Sequence, residues 1–169
     1  SDEREHFANA AEWTVSAGRT DEENPYISAF WEWWEAEGGL ADTLEGIRIT
    51  GGEPIMHPSV WKLFDWFKNN PERGKNMRFA INSNLVPDKE KTFQRLLDVI
   101  DYVPQFEMFT SCEATGIQAE YIRDGIDYDK WLSNCKRLLE QPKLNRMYIM
   151  MTINALCLCS ITDFMDDML

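Results

Sequence analysis

What most constrains this chain is an order that repeats. After Leu44, a short run rich in β-branched or aromatic residues precedes, four times, a longer stretch with helical spacing. GIRIT (46–50) precedes SVWKLFDWFKNN (59–70), and MRFAIN (77–82) precedes DKEKTFQRLLDVI (88–100). YVPQFEMFTS (102–111) then precedes DYDKWLSNCKRLLEQ (127–141), and RMYIMMTIN (146–154) precedes SITDFMDDML (160–169). A strand reaches a parallel neighbour only through a long crossover, so this alternation predicts parallel βα units. The expectation is an α/β fold of four adjacent parallel strands, right-handed crossovers and helices on one side. Alternation alone fits an open sheet and a barrel equally.

Buried faces follow from the spacing. The helix over 59–69 places Val60, Leu63, Phe64 and Phe67 on one side, with Lys62, Asp65 and Lys68 between them. Pro58 suits its first turn, where a missing amide proton is not needed. RMYIMMTIN is nearly all apolar, as in a strand covered on both faces. Residues 1–43 offer no convincing strand and read as a helical segment. Within it, PYISAFWEWWEAEGG has helical spacing and stops at Gly38 and Gly39. Its Trp31, Trp33 and Trp34 are assigned to packing, with a ligand platform as the weaker alternative.

Charge narrows the partners. The chain has 169 residues, 44 % of them apolar, with a formal charge of −12 and a pI near 4.6. It has no basic stripe, so a nucleic-acid backbone is not an expected partner. It also lacks an apolar run long enough to span a bilayer, so no membrane partner is expected. Cys112, Cys135, Cys157 and Cys159 are scattered through apolar or helical stretches, which fits reduced thiols and a cytoplasmic location. The pair Cys157 and Cys159 lacks further ligands at metal-site spacing, and His6 and His57 lie far apart in sequence.

In parallel βα architectures, chemistry gathers beyond the carboxyl ends of the strands. Here those ends read TGGEP (50–54), NSN (82–84), TSCEATG (110–116) and TINA (152–155). Alternation sends Ser111 and Glu113 to one side, Asn82 with Asn84, and Thr152 with Asn154. Such a rim is rich in acceptors and short of cations, with Arg123 the nearest. It suits a ligand bearing an ammonium or hydroxyls better than a polyphosphate. Each feature also has a plain structural reading. Gly51 and Gly52 suit a tight turn, Glu53 a helix's first turn, and Asn82 and Asn84 turns bonded to their own backbone. Ser111 suits a cap, and Arg123 a routine pair with Asp124, Asp127 or Asp129.

The order RITGGEP, FAINSN, FEMFTSCEATG, YIRDGIDYDKW, MYIMMTINA resembles the core of radical S-adenosylmethionine enzymes, most of all relatives with a SPASM or twitch region. The resemblance covers residues 44–169, and GGEP is its most specific piece. It implies part of a six-stranded (β/α) barrel that holds S-adenosyl-L-methionine and a [4Fe-4S] cluster. By that resemblance, Gly51, Gly52 and Glu53 meet the cofactor's amino group. Ser111 and Glu113 lie near its ribose, Arg123 meets its carboxylate, and Asn82 and Asn154 belong to the same rim. The implied reaction is reductive cleavage to a 5′-deoxyadenosyl radical that takes hydrogen from a peptide or small-molecule substrate. The family's C-x3-C-x2-C cluster loop is not found in these residues. The expectation is therefore an excerpt, inactive alone, with its cluster ligands and first strand preceding residue 1 and a further strand following Leu169. The alternative is a cluster-less acidic α/β scaffold or binding module.

Overall fold

A computed structural model describes residues 25–168. The helical expectation for the first two dozen residues, and His6 with it, lies outside the described residues. The chain divides into two units between Thr43 and Leu44. In the first, helix α1 (Pro25–Glu35) leads through a turn to the short helix α2 (Leu40–Thr43). Gly38 has φ of +67°. At Gly39 a β-carbon would lie 2.1 Å from the carbonyl oxygen of Trp33, so the stop tolerates no side chain there. Trp34 is fully buried and stacks on Phe30 at 5.6 Å, whereas Trp33 is exposed.

The second unit runs β1 (Gly46–Ile49), a 3₁₀ turn (Pro54–Met56), α3 (Pro58–Asn69), β2 (Arg78–Asn82), α4 (Glu90–Val99) and β3 (Phe106–Ser111). It continues with α5 (Gly116–Ile122), α6 (Tyr128–Leu139), β4 (Arg146–Met150) and α7 (Ile161–Asp167). The strands form one parallel sheet in the order β1-β2-β3-β4. Every crossover therefore steps one strand in the same direction. With a constant hand, such steps put the helices on one face.

The contacts bear this out. In α3, the rings of Phe64 and Phe67 each lie 5.4 Å from Phe79 of β2, and Phe64 lies 6.2 Å from Phe106 of β3. Trp131 of α6 donates its indole N–H to Thr110 Oγ1 at 3.0 Å. Phe79, Phe106 and Thr110 have the same strand parity, so α3 and α6 cover one face. Helix α4 lies between them, tied by Arg95 to Asp65 of α3 and by Glu90 to Arg137 of α6. Phe164 of α7 stacks on Trp131. The opposite face carries Arg48, Asn82, Glu107, Phe109, Tyr148 and Met150. Its polar and ring contacts run between strands, along β4 from Arg146 to Tyr148, or to the loop before β4.

Three sequence expectations shift. Strand β3 begins at Phe106 rather than Tyr102, because Gln105 takes φ of +40° after Pro104 and breaks the extended run. Strand β4 stops at Met150, and its last four residues are half-buried rather than enclosed. Among the described residues it has one strand neighbour, β3. Helix α5 and the 3₁₀ turn fall in stretches to which the sequence pattern assigns no element.

Candidate functional site

Because the strands are parallel, their carboxyl ends share one edge of the sheet, and the polar groups divide there into three clusters. The first is the turn after β1. Gly51 has φ of +135°, a conformation strained for any L side chain. A β-carbon added at Gly51 or Gly52 would meet nothing within 4 Å. Glu53 then reaches across to the end of β2, where its Oε2 accepts the backbone N–H of Asn84 at 2.7 Å. Its Oε1 is buried and has no hydrogen-bond partner. A buried carboxylate oxygen without a donor is costly, typically by about 1–3 kcal/mol or more. Asn84 meanwhile closes its own turn, its Oδ1 accepting from Val86 N at 2.9 Å.

That turn is held from below. Leu85 is fully buried at φ of +58°, and its carbonyl accepts from Asn134 Nδ2 of α6 at 2.7 Å. Ser83 Oγ accepts the N–H of Leu85 at 3.0 Å. The platform beneath Glu53 is thus fixed by tertiary contacts that local spacing does not reveal.

The second cluster joins Glu113 and Arg123 to each other. Glu113 is 3 % exposed, and its two oxygens accept from Nε and Nη2 of Arg123 at 2.5 Å each. Oε1 also accepts from the backbone N–H of Thr152 at 3.4 Å. The side-chain hydrogen bond to Glu113 raises the Arg123 pKa further. The aspartates offered as partners by sequence are not the ones used. Asp127 caps α6, taking the N–H of Lys130 at 2.9 Å. Ser111 lies half-buried at the end of β3, in register with Met150.

The third cluster is on the sheet face itself. Asn82 Oδ1 accepts from Arg48 Nε at 2.9 Å. Sequence reasoning passed over Arg48, reading GIRIT only as a strand. The signal was present, because a cation at the third position of a four-residue strand shares parity with Asn82 through the sheet register. Asn154 is turned into its own loop: Oδ1 accepts from Leu156 N at 2.8 Å, and Nδ2 donates to Thr152 O at 3.1 Å. The structure therefore brings Glu53 together with Asn84, Glu113 with Arg123, and Asn82 with Arg48. It leaves Asn154 engaged locally.

Cysteine chemistry is muted at this rim. Burial pushes the Cys112 thiol up, and it pushes Cys135 up to about 12. Cys112, Cys135 and Cys157 are buried and Cys159 is exposed. At mildly alkaline pH, an aromatic disulfide reagent should titrate one thiol per folded chain rapidly and all four in denaturing guanidinium. More than one fast equivalent would mean that the burial at the rim is wrong. Among the described residues, no group of three or more His, Cys, Asp or Glu could hold a metal ion. No described helix is long and apolar enough to cross a membrane.

No protein-family profile matches the chain, and no solved structure matches it. Among curated proteins, a mitochondrial citrate synthase of Fragaria ananassa is 28 % identical over 115 aligned positions, an alignment that takes in 57 % of this chain. The chain spans 23 % of the length of that relative.

Proposed function

We propose that residues 44–169 form the S-adenosylmethionine-binding part of a radical S-adenosylmethionine enzyme, on a partial (β/α) barrel of which the four strands are one arc. The observation that carries this reading is the unpartnered, buried Oε1 of Glu53 beside two glycines that leave open space. An ammonium group brings three donors and needs acceptors at short range. Glu53 Oε1 and the carbonyls of a turn without β-carbons offer them. The consecutive strand order supports the barrel, since an open doubly wound sheet reverses its order at a switch point.

The fit is uneven. The turn at 51–53 suits the ammonium of the cofactor. Glu113 and Arg123 are closed on each other, so the ribose and carboxylate roles drawn from the resemblance require that pair to open. The described residues hold no ligand set for a [4Fe-4S] cluster. S-Adenosylmethionine supplies hydrogen-atom abstraction in such enzymes, while this chain's residues bind and orient it. The closed Glu113–Arg123 pair is also what favours the second reading, an α/β binding module without catalysis.

The coding sequence preceding Ser1 separates the two, since the enzyme requires a C-x3-C-x2-C loop there. In the protein carrying that loop, reconstituted anaerobically, Gly52→Val and Glu53→Gln should each weaken S-adenosylmethionine binding about tenfold or more. The readout is the cofactor-induced change in the cluster's EPR signal. Gly52→Val enters empty space, so its melting temperature should stay at the parent value. Absence of the cysteine loop, or parental binding by both variants, refutes the enzyme reading.

A further inference from the structure

The sheet face opposite the helices has a charge that the rest of the chain does not. Residues in register on parallel strands point the same way, so Arg48, Arg78 and Arg146 share this face with a single strand acid, Glu107. On a chain of net charge −12, the strand residues of that face are basic on balance, although Glu45 adds a second acid at its margin. Arg78 folds across Gly46, where an added β-carbon would lie 3.9 Å from its Nε. The depression over this region has a volume of about 490 Å³, and its wall sets Arg48 and Arg78 against Glu45 and Glu107, with Ala80 and Phe109 between them.

Arg48 is ordered without an acid. Its guanidinium lies 3.7 Å from the centroid of the Phe109 ring, Nε donates to Asn82 Oδ1 at 2.9 Å, and Nη2 lies 3.2 Å from Met150 Sδ. Among the described residues no carboxylate pairs with it, although Arg95, Arg123 and Arg137 each have one. Phe109 in turn stacks on Tyr148 at 4.5 Å with an 18° interplanar angle. A planar cation held by stacking and an amide, with donor capacity left over, is preorganised for a planar anion.

We propose that this sheet face binds a small ligand bearing a carboxylate next to a planar group, with Arg48 gripping the carboxylate and the half-buried ring edges of Phe109 and Tyr148 receiving the planar part. The inference stands whether or not the chain binds S-adenosylmethionine, because it uses neither Glu53 nor the glycine turn. Arg78 and Arg146 at the same face reinforce the charge preference, while Glu107, which shares the wall, accepts from Asn145 Nδ2 through its Oε1 at 3.2 Å.

The test uses benzoate and benzamide as probes on the 169-residue chain, followed by NMR of the arginine Nε–Hε signals. Benzoate should shift the Arg48 signal saturably and benzamide should not. Arg48→Gln should weaken benzoate binding about tenfold, and Arg48→Lys should recover only part of it. Phe109→Leu should reduce benzoate affinity while leaving the weak response to inorganic phosphate in place. Equal binding of benzamide, parental binding by Arg48→Gln, or phosphate binding as tightly as benzoate would each overturn the proposal. Circular dichroism of every variant guards against a loss that is merely unfolding.

Discussion

Phe79→Ala is expected to destabilise the chain by about 3–5 kcal/mol, a large share of what a domain this size usually has. The side chain is fully buried, and its ring lies within 5.4 to 6.2 Å of the rings of Phe64, Phe67 and Phe106. These four residues join α3 to β2 and β3. Removing the central ring leaves a cavity walled by rings anchored in two other elements, α3 and β3, which limits its collapse. The measurement is the midpoint of urea unfolding followed by tryptophan fluorescence. A loss under about 1 kcal/mol would show that the aromatic cluster is not the centre of the core.

Arg123→Met should cost about 3 kcal/mol, the lower end of the range for breaking a buried ion pair. The lower end applies because the arginine side chain is 36 % exposed, so water reaches the pair from one side. Glu113 at 3 % exposure would be left with only the long contact from Thr152. The double variant Glu113→Leu/Arg123→Met should be more stable than Arg123→Met alone, because no charge then stays stranded. Urea midpoints of the parent and the single and double variants measure the difference. If Arg123→Met unfolds like the parent, the pair is a surface contact and Glu113 has another donor. If the single loss is large and the double variant recovers, the pair is structural cement, and the cofactor roles assigned to it lose their main argument.

The elements of the fold were legible because they are local. Alternating short and long apolar patterns located the four described strands and the helices α1, α3, α4, α6 and α7. The parallel order followed from crossover length. What escaped was set by single backbone angles or by distant partners. Gln105 at positive φ shortened β3, and α5 has only seven residues, with Ala119 its one buried position. At the site, sequence located the turn at 51–53 but not the unpartnered oxygen of Glu53, which depends on where Asn84 arrives from the next strand. It also could not assign a partner to Arg123. Five acids lie within ten residues of it, and the bond goes to Glu113, while Asp127 caps α6 and Glu120 accepts the N–H of Tyr128.

The consecutive order of the strands has one more consequence. It leaves β1 and β4 as sheet edges among the described residues, each with a row of backbone donors and acceptors facing outward. Around β4 lies the run MYIMM (147–151), without a charge, proline or glycine. Its strand side chains are half-buried. That is the composition from which cross-β stacking begins. Whatever covers this edge, be it further chain, a partner or a chaperone, therefore protects the protein from its own copies.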